Sequence, residues 1–288
     1  MISVLMTAYN REKYIGEAIE SVLNSTWEDF ELIVVDDCSV DNTLKIAQAY
    51  AEVDTRIKVY QNDKNLGDYN NRNKAASYAQ GKYLKYLDAD DIIYPHGLAV
   101  MLNSMEQFSK AAFGLSFSVI DDVAPYPRLI TSIENLRSEY LNKSYLGVGP
   151  SASIIRRLEF ERIGGFSGKP FIGDTEFWLK MASCHDMVLM NPSLVWWRQH
   201  PDQQMQKEIK KPEIIVDRFK LSLFFLEQNR DFFTREEYYF AVKKRKQHFA
   251  RGILSTFAKK KKFGTALKLY RLSNLSPSEL LLGFRSYY

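Results

Sequence analysis

Cysteine is almost absent. The 288 residues hold two, Cys38 and Cys184, far apart and at no metal-ligand spacing. That excludes a disulfide framework or a zinc cluster and implies reduced thiols in a cytosolic protein. Long apolar runs are missing as well: "LSLFFL" at 221–226 is among the longest, far below the roughly 20 residues that span a bilayer. "MISVLMTAYN" at the start has neither a basic n-region nor a long apolar core, so no signal peptide is expected. Glycine is missing where many nucleotide-binding folds need it. The turn after the first apolar run is "TAYNREKY", not G-x-G-x-x-G, which excludes a dinucleotide-dependent dehydrogenase. "GGFSGKP" at 164–170 mimics a P-loop, but its glycine spacing is one short and Pro170 stands where Ser or Thr is required.

Acids are lacking from one end of the chain. From Lys243 to Tyr288 there are twelve Lys/Arg and one acid, Glu279, a net +11. The other 242 residues carry 27 basic and 34 acidic side chains, a net −7, so the overall +4 hides an acidic body with a basic tail. Such a tail implies a polyanionic partner. No nucleic-acid-binding module accompanies the charge, so nucleic acid is not expected and an anionic membrane surface is. A capping box, Thr234 to Glu237, opens a helix in which Tyr238, Val242, Phe249, Ile253 and Phe257 recur at helical spacing. Lys243, Lys244, Lys246 and Arg251 take its other faces, and a second box, Ser276 to Glu279, starts "ELLLGFRSYY". Basic amphipathic helices of this kind predict a cytoplasmic protein lying on the inner face of the plasma membrane. The competing expectation is that they pack internally and merely expose their charges.

The first 120 residues alternate between strand and helix patterns. "ISVLMTAY", "FELIVVDD", "IKVYQN" and "KYLKYLD" read as strands. "REKYIGEAIESVLNS", "SVDNTLKIAQAYAEV" (capped by Ser39 or Asp41) and "GDYNNRNKAASYAQ" read as the helices between them. The series continues through "PHGLAVMLNSMEQFS" and "AAFGLSFSVI", then breaks after Ile120. A Pro-rich turn and one helix follow, then a strand, a helix and a Gly-Gly stop in "SASIIRRLEFERIGGF", a helix in "TEFWLKMASC" and a strand pair or one bent strand in "MVLMNPSLVWWRQH". The expected fold class is α/β, a doubly wound, mostly parallel, Rossmann-like sheet with a C-terminal helical extension. The expected boundaries are 1–208 for the first domain, in halves 1–120 and 121–208, and 209–288 for the extension.

Carboxylates gather where these strands end. The second strand closes with Asp36-Asp37 and the fourth with Asp88, Asp90 and Asp91. A parallel sheet brings such ends to one edge, where ligands bind. Five carboxylates lining one crevice are costly without cations, and hard oxygen ligands suit Mg²⁺ or Mn²⁺. Read singly, Asp91 and Asp41 are turn or cap residues. The alternating pair Asp88 and Asp90 projects to one side and is the stronger signal.

With "TAYNREKYIGEAIESVLNSTWEDFELIVVDDCSVDNT", "NLG" at 65–67, "RNKAASYAQGKYLKYLDADD", "GGF" at 164–166 and "GDTEFWLKM" in order, residues 1 to about 202 resemble an inverting family 2 glycosyltransferase of the GT-A fold. The resemblance implies that Thr7, Ala8, Tyr9, Asp36 and Asp37 hold the nucleoside, without saying which of the two acids touches the base. It brings Arg72 to the base or diphosphate, Asp88, with Ala89, to the ribose or donor sugar, and Asp90 to the metal, Mn²⁺ or Mg²⁺. His200 joins the diphosphate or metal, and Asp174 is the catalytic base. The family usually has Glu-Asp at that point, whereas this chain has Gly173-Asp174. Read without the resemblance, Arg72 is a solvated helix residue, Asp174 an N-cap before Thr175, and His200 a loop residue. One of Trp196 and Trp197 belongs to the core, and Phe166 is either core or on the acceptor side.

The implied reaction is transfer of a sugar from a nucleoside-diphosphate donor, UDP-linked by preference, to a glycan acceptor hydroxyl. One base and no second carboxylate nucleophile imply a single displacement with inversion. The setting favoured for it is synthesis of bacterial surface polysaccharide, with a lipid-linked acceptor. A sugar-phosphate nucleotidyltransferase is the rival enzyme, but needs a Gly-rich basic loop after the first strand, which "TAYNREKY" is not. A non-enzymatic polyanion-binding module explains the tail and leaves the acidic strand ends without a purpose. A processive membrane synthase of the same family lacks its Q-x-x-R-W.

Overall fold

The computed structural model describes residues 1–116, 124–200, 211–259 and 261–284. The break expected after Ile120 and the boundary expected at 208 lie outside the described residues. The chain divides into two compact units, Met1–Asn135 with Tyr145–Gln199, and Leu136–Ser144 with His200–Tyr288.

The first unit opens with β1 (Ile2–Ala8), α1 (Ile15–Leu23), β2 (Phe30–Asp36), α2 (Thr43–Val53), β3 (Ile57–Gln61), α3 (Asp68–Ser77) and β4 (Tyr83–Tyr86). Then come β5 (Ile92–Ile93), α4 (Gly97–Gln107), β6 (Phe113–Ser116), β7 (Arg128–Ile130) and α5 (Ser132–Leu141), which ends in the second unit. The unit closes with β8 (Ser153–Arg156), α6 (Arg157–Ile163), α7 (Gly173–Cys184), β9 (Met187–Met190) and β10 (Val195–Trp196). The main sheet runs β3-β2-β1-β4-β8-β6-β9-β7. Its first four strands are parallel, β8 runs against both β4 and β6, and β9 returns parallel to β6. This is the doubly wound, mostly parallel sheet that the strand-helix rhythm predicts. The Pro-rich stretch also holds β7, a three-residue edge strand antiparallel to β9, too short to leave a periodic trace.

Alternation explains why both sheet faces are covered. Val4 and Met6 of β1 and Leu32 and Val34 of β2 pack in one cluster with Ile15, Ala18, Ile19 and Val22 of α1 and Met101 and Met105 of α4. Leu5, Ile33 and Val35, one residue out of phase, are fully buried too, as period-2 side chains on the opposite face must be. Because β1 lies between β2 and β4 and pairs Ala8 with Asp36, the C-terminal ends of these strands meet at one edge.

The opposite end of this sheet hides a charge. Glu31, in a run that otherwise reads as apolar, accepts from Ser3 Oγ, the Gln80 N–H and Lys58 Nζ, each at 2.7 Å. The Gly81 N–H donates in turn to Ser3 Oγ at 2.8 Å, and a Cβ on Gly81 would lie 2.7 Å from the Ser3 nitrogen. Burial works against the Glu31 carboxylate, but these bonds, led by Lys58, outweigh it and hold its pKa below the ordinary value.

The second unit contains α8 (Pro212–Gln228), α9 (Arg235–Ala258), α10 (Phe263–Ser273) and α11 (Pro277–Leu281). Both predicted capping boxes form: Thr234 accepts from the Glu237 N–H, and Ser276 from the Glu279 N–H, each at 3.2 Å. The apolar face of α9 is largely internal. Phe249, Ala250 and Ile253 pack with Val216 and Phe219 of α8 and Ala266 and Leu269 of α10, and the Phe219 and Phe249 rings stack 4.2 Å apart. Of the periodic stripe read as membrane-facing, Phe249 and Ile253 are thus core of a helical unit, while Phe257 is exposed.

The Glu31 network generates a test. Glu31→Gln keeps the volume and removes the charge, which should lower stability by about 2 kcal/mol at pH 7, the scale of hydrogen bonds to a charged group. A depressed carboxylate pKa contributes stability above the unfolded value, near 4.3, and loses it as pH falls through the folded one. Denaturant unfolding should therefore show the two proteins converging below about pH 4. A pH-independent gap would mean that packing, not charge, carries the effect.

Candidate active site

The turn after β4 gathers the acids. Asp88, Asp90 and Asp91 offer ligand atoms within 4.8 Å of one another, the one such group of three among the described residues. The turn is tight because the Asp91 N–H donates to the Asp88 carbonyl at 2.9 Å, and the Asp88 N–H is held by Ser151 Oγ at 2.9 Å. Burial raises the Asp91 carboxyl to about 7, and the charge of Asp88 adds to the rise. Asp91 is thus the turn residue that its position suggests, and it also completes the cluster.

Cations surround these acids. Arg72, from α3, places Nη2 2.7 Å from Asp88 and Nε 2.9 Å from Asp68. It is 5% exposed, which overturns its reading as a solvated helix residue: within the polar "NNRNK" stretch, Arg72 is buried with its charge paired while Asn70 and Lys74 are exposed. Burial opposes the Arg72 charge, but Asp68 and Asp88 outweigh it and raise its pKa. Nη1 of Arg72 is buried without a partner. Arg11 pairs with Asp90 at 2.8 Å. Arg198 donates from Nε to the Asp90 carbonyl at 2.9 Å and from its backbone to Asp91 at 3.2 Å, and lies over the Tyr14 and Trp196 rings. Beneath the turn, Lys85 is fully buried and donates to the carbonyls of Tyr86 and Ser151. Burial pulls its pKa down to about 7 against the opposing charges of Asp91 and Asp88.

Asp36 and Asp37, at the end of β2, do different work. Asp37 accepts from Asn62 Nδ2 at 2.8 Å, the Leu66 N–H at 2.8 Å and the Gly67 N–H at 2.9 Å, so both its oxygens hold the "NLG" loop. Asp36 receives the Ser39 N–H on Oδ2 at 2.9 Å, while its Oδ1 is buried without a partner. The five carboxylates thus form a group of three and a separate pair. Of the first strand end, Ala8 is buried and accepts the Asp37 N–H at 2.8 Å, and Tyr9 is exposed.

Asp174 lies in the first turn of α7, which starts at Gly173; the N-cap position is Ile172. Its Oδ1 takes the Thr175 N–H at 2.6 Å. The Asp174 backbone bonds to Tyr69, whose hydroxyl pKa is raised by burial and then by the Asp174 charge. Gly173 has a steric reason: a Cβ there would lie 2.5 Å from Cδ2 of the buried Tyr69 ring. Tyr69 fills the space that a side chain before Asp174 would take. The neighbouring Glu176 is held by Lys169 at 2.8 Å and by Ser167.

One expectation changes and one open choice closes. Trp196 and Trp197 are both about half exposed, at 45% and 48%, so neither is core; β10 pairs only with the two-residue β5. Phe166 is core, packed 4.5 Å from the Phe177 ring. His200 is not one of the three residues of that acidic group. Arg11 and Arg198 escaped the sequence reading; their signals were their places directly after "TAYN" and inside "WWRQH".

The model of the family described as glycosyl transferase family 2 matches residues 3–164. The chain belongs to glycosyl transferase family 2. The glycosyltransferase GlyG of Streptococcus pneumoniae is 32% identical over 222 residues, 72% of this chain and 74% of that one. A Bacillus subtilis protein whose name links it to teichuronic acid biosynthesis is 36% identical over 137 residues, 47% of this chain and 54% of that one. The chain spans 33% and 54% of the lengths of the first curated relatives it matches. Among solved structures, S. aureus TarS 1-349 in complex with UDP-GlcNAc superposes with a TM-score of 0.73 at 21% identity, covering 94% of this chain and 79% of that one. The mannosyltransferase PcManGT of Pyrobaculum calidifontis, in complex with GDP-Man and Mn2+, gives 0.62 at 16% identity, over 98% of this chain and 85% of that one. These likenesses establish the GT-A fold for this family 2 chain.

Two tests follow from the geometry. Gly173→Ala should destabilise the protein by about 1–3 kcal/mol through overpacking, and Tyr69→Leu in the same chain should recover part of the loss; thermal melts decide it. In chelator, Asp91 should favour the protonated form up to about pH 7. The folded state then binds more protons than the unfolded one between about pH 4 and 7, so this group's contribution to stability falls as pH rises. Asp91→Asn should therefore raise the melting temperature at pH 8 by at least ~2 °C, the effect of roughly 1 kcal/mol in a domain of this size, and less at pH 5. A variant that melts lower at both pH values would refute the electrostatic account.

Proposed function

We propose that the protein transfers a sugar from a nucleoside-diphosphate donor, UDP-linked by preference, to a glycan hydroxyl with inversion at the anomeric carbon. The observation that carries this reading is the turn of Asp88, Asp90 and Asp91 at the C-terminal edge of the parallel strands, with the buried Arg72 on Asp88. Three carboxylates, one with its pKa driven up by burial and then by the neighbouring charge of Asp88, suit a hard divalent cation. Asp90 with its two neighbours would hold Mn²⁺ or Mg²⁺, and His200 is retained as a further ligand. When bound, the ion supplies Lewis-acid stabilisation of the departing diphosphate.

The chain's own residues do the rest. Thr7, Ala8, Tyr9 and the Asp36-Asp37 pair receive the nucleoside. The unpartnered Asp36 Oδ1 is the acceptor available to a base N–H, while Asp37 holds the loop beside it. Arg72 Nη1, buried without a partner, is the donor available to a diphosphate oxygen. Asp88 and Ala89 line the donor sugar. Asp174 takes the proton from the acceptor hydroxyl as its oxygen bonds to the anomeric carbon and the bond to the diphosphate breaks. Glu176, neutralised by Lys169, is the poorer base. The acceptor class is a lipid-linked glycan of bacterial surface polysaccharide synthesis, a reading supported by the name of the Bacillus subtilis relative. The transfer takes place at the inner face of the plasma membrane.

A panel of nucleotide sugars, with Mn²⁺ and scored for slow hydrolysis without acceptor, identifies the donor. Asp174→Asn should lower transfer by about 10²–10⁴-fold, the range for loss of a general base, with nucleotide affinity unchanged; near-native turnover would put the base elsewhere. Asp90→Ala should abolish the Mn²⁺ dependence of nucleoside-diphosphate binding in calorimetry. Equal affinity of the parent protein with and without EDTA would sink the metal assignment.

A further inference from the structure

The basic tail of the second unit has a corner that its core does not use. Between the end of α9 and the start of α10, Lys261 adopts a left-handed φ of 53° and the Lys262 N–H closes on the Thr256 carbonyl at 3.1 Å. This turn brings together the last and first aromatic residues of the two helices. Phe257 and Phe263 meet edge to face with centroids 4.9 Å apart, yet remain 52% and 56% exposed. Leu267, one turn further along α10, is 49% exposed on the same stripe. An aromatic pair that packs only on itself gains little from burial and leaves its outer faces in water.

The charge around this corner is of one sign. Residues 251–271 hold seven Lys/Arg and no Asp or Glu. Lys259, Lys261 and Lys262 are exposed and form no ion pair among the described residues. They differ from Lys268, which pairs with Glu213, and from Lys246, which pairs with Glu279. Three unpaired lysines flanking two exposed phenylalanines and a leucine match the two components of interfacial binding. The rings enter the headgroup boundary and the ammonium groups meet anionic phosphates.

We propose that the α9–α10 corner, through Phe257, Phe263 and Leu267 with Lys259, Lys261 and Lys262, is the surface by which the protein docks on an anionic lipid bilayer. It replaces the face of α9 that periodicity indicated, since Phe249 and Ile253 of that face are occupied within the unit. The assignment rests on the second unit alone and stands or falls separately from the sugar-transfer reading.

Flotation of the full-length protein with vesicles of phosphatidylglycerol and phosphatidylcholine, against phosphatidylcholine alone, tests it. The protein should float with the anionic vesicles at low salt, at least tenfold less with neutral ones, and detach as screening rises. Phe257→Ser with Phe263→Ser, and separately Lys259→Ser with Lys261→Ser and Lys262→Ser, should each cut flotation at least tenfold. Circular dichroism and nucleotide binding should stay unchanged, since these side chains lie outside the helical core. A parent protein that stays with the soluble fraction, or variants that float as well as it does, would overturn the proposal. So would a phenylalanine variant that converts a dimer to a monomer while the parent ignores lipid, since the patch would then be an interface between two copies.

Discussion

Like charges crowded at the end of one strand are the constraint around which the first unit is arranged. Asp88, Asp90 and Asp91 fall within a single turn, where burial, and then the charge of Asp88, drives the Asp91 carboxyl towards neutrality. The turn survives because cations arrive from four places in the chain: Arg72 from α3, Arg11 after β1, Arg198 after β10 and Lys85 from β4 itself. Each supports a different segment. Arg72 pins α3 to the strand end, Arg198 ties the chain after β10 back to Asp90 and Asp91, and Lys85 fastens the turn around Ser151 to the sheet. The charge that suits a cation-bearing ligand is also what draws these loops together.

The elements with a clean period were legible before any coordinates. Parallel strands buried on both faces gave unbroken apolar runs in β1 and β2, and two capping boxes marked the starts of α9 and α11. The strand-end acids followed from the same pattern. Contacts that depend on distant partners were not legible. Arg72 looks solvated among "NNRNK" until Asp68 and Asp88 close on it, and Asp91 is the turn residue it looks like, but its burial does not show in its spacing. β7 is too short to show a period, and the Trp196-Trp197 pair alternates as a core strand does but pairs with only two residues. The α9 stripe was read correctly as apolar; its partners, α8 and α10, were not visible in its own spacing.

The two units use charge differently. In the first, buried acids are matched by buried or half-buried cations. In the second, helices pack through Phe219, Phe249 and Ile253, while ion pairs such as Arg245–Glu139 and Lys246–Glu279 lie partly in solvent and contribute little each.

Gly173 and Tyr69 form a lock. A side chain at 173 would meet the ring at 69, so the space in front of Asp174 is set by two residues far apart in the chain, and a change in the size of either alters what the other can be.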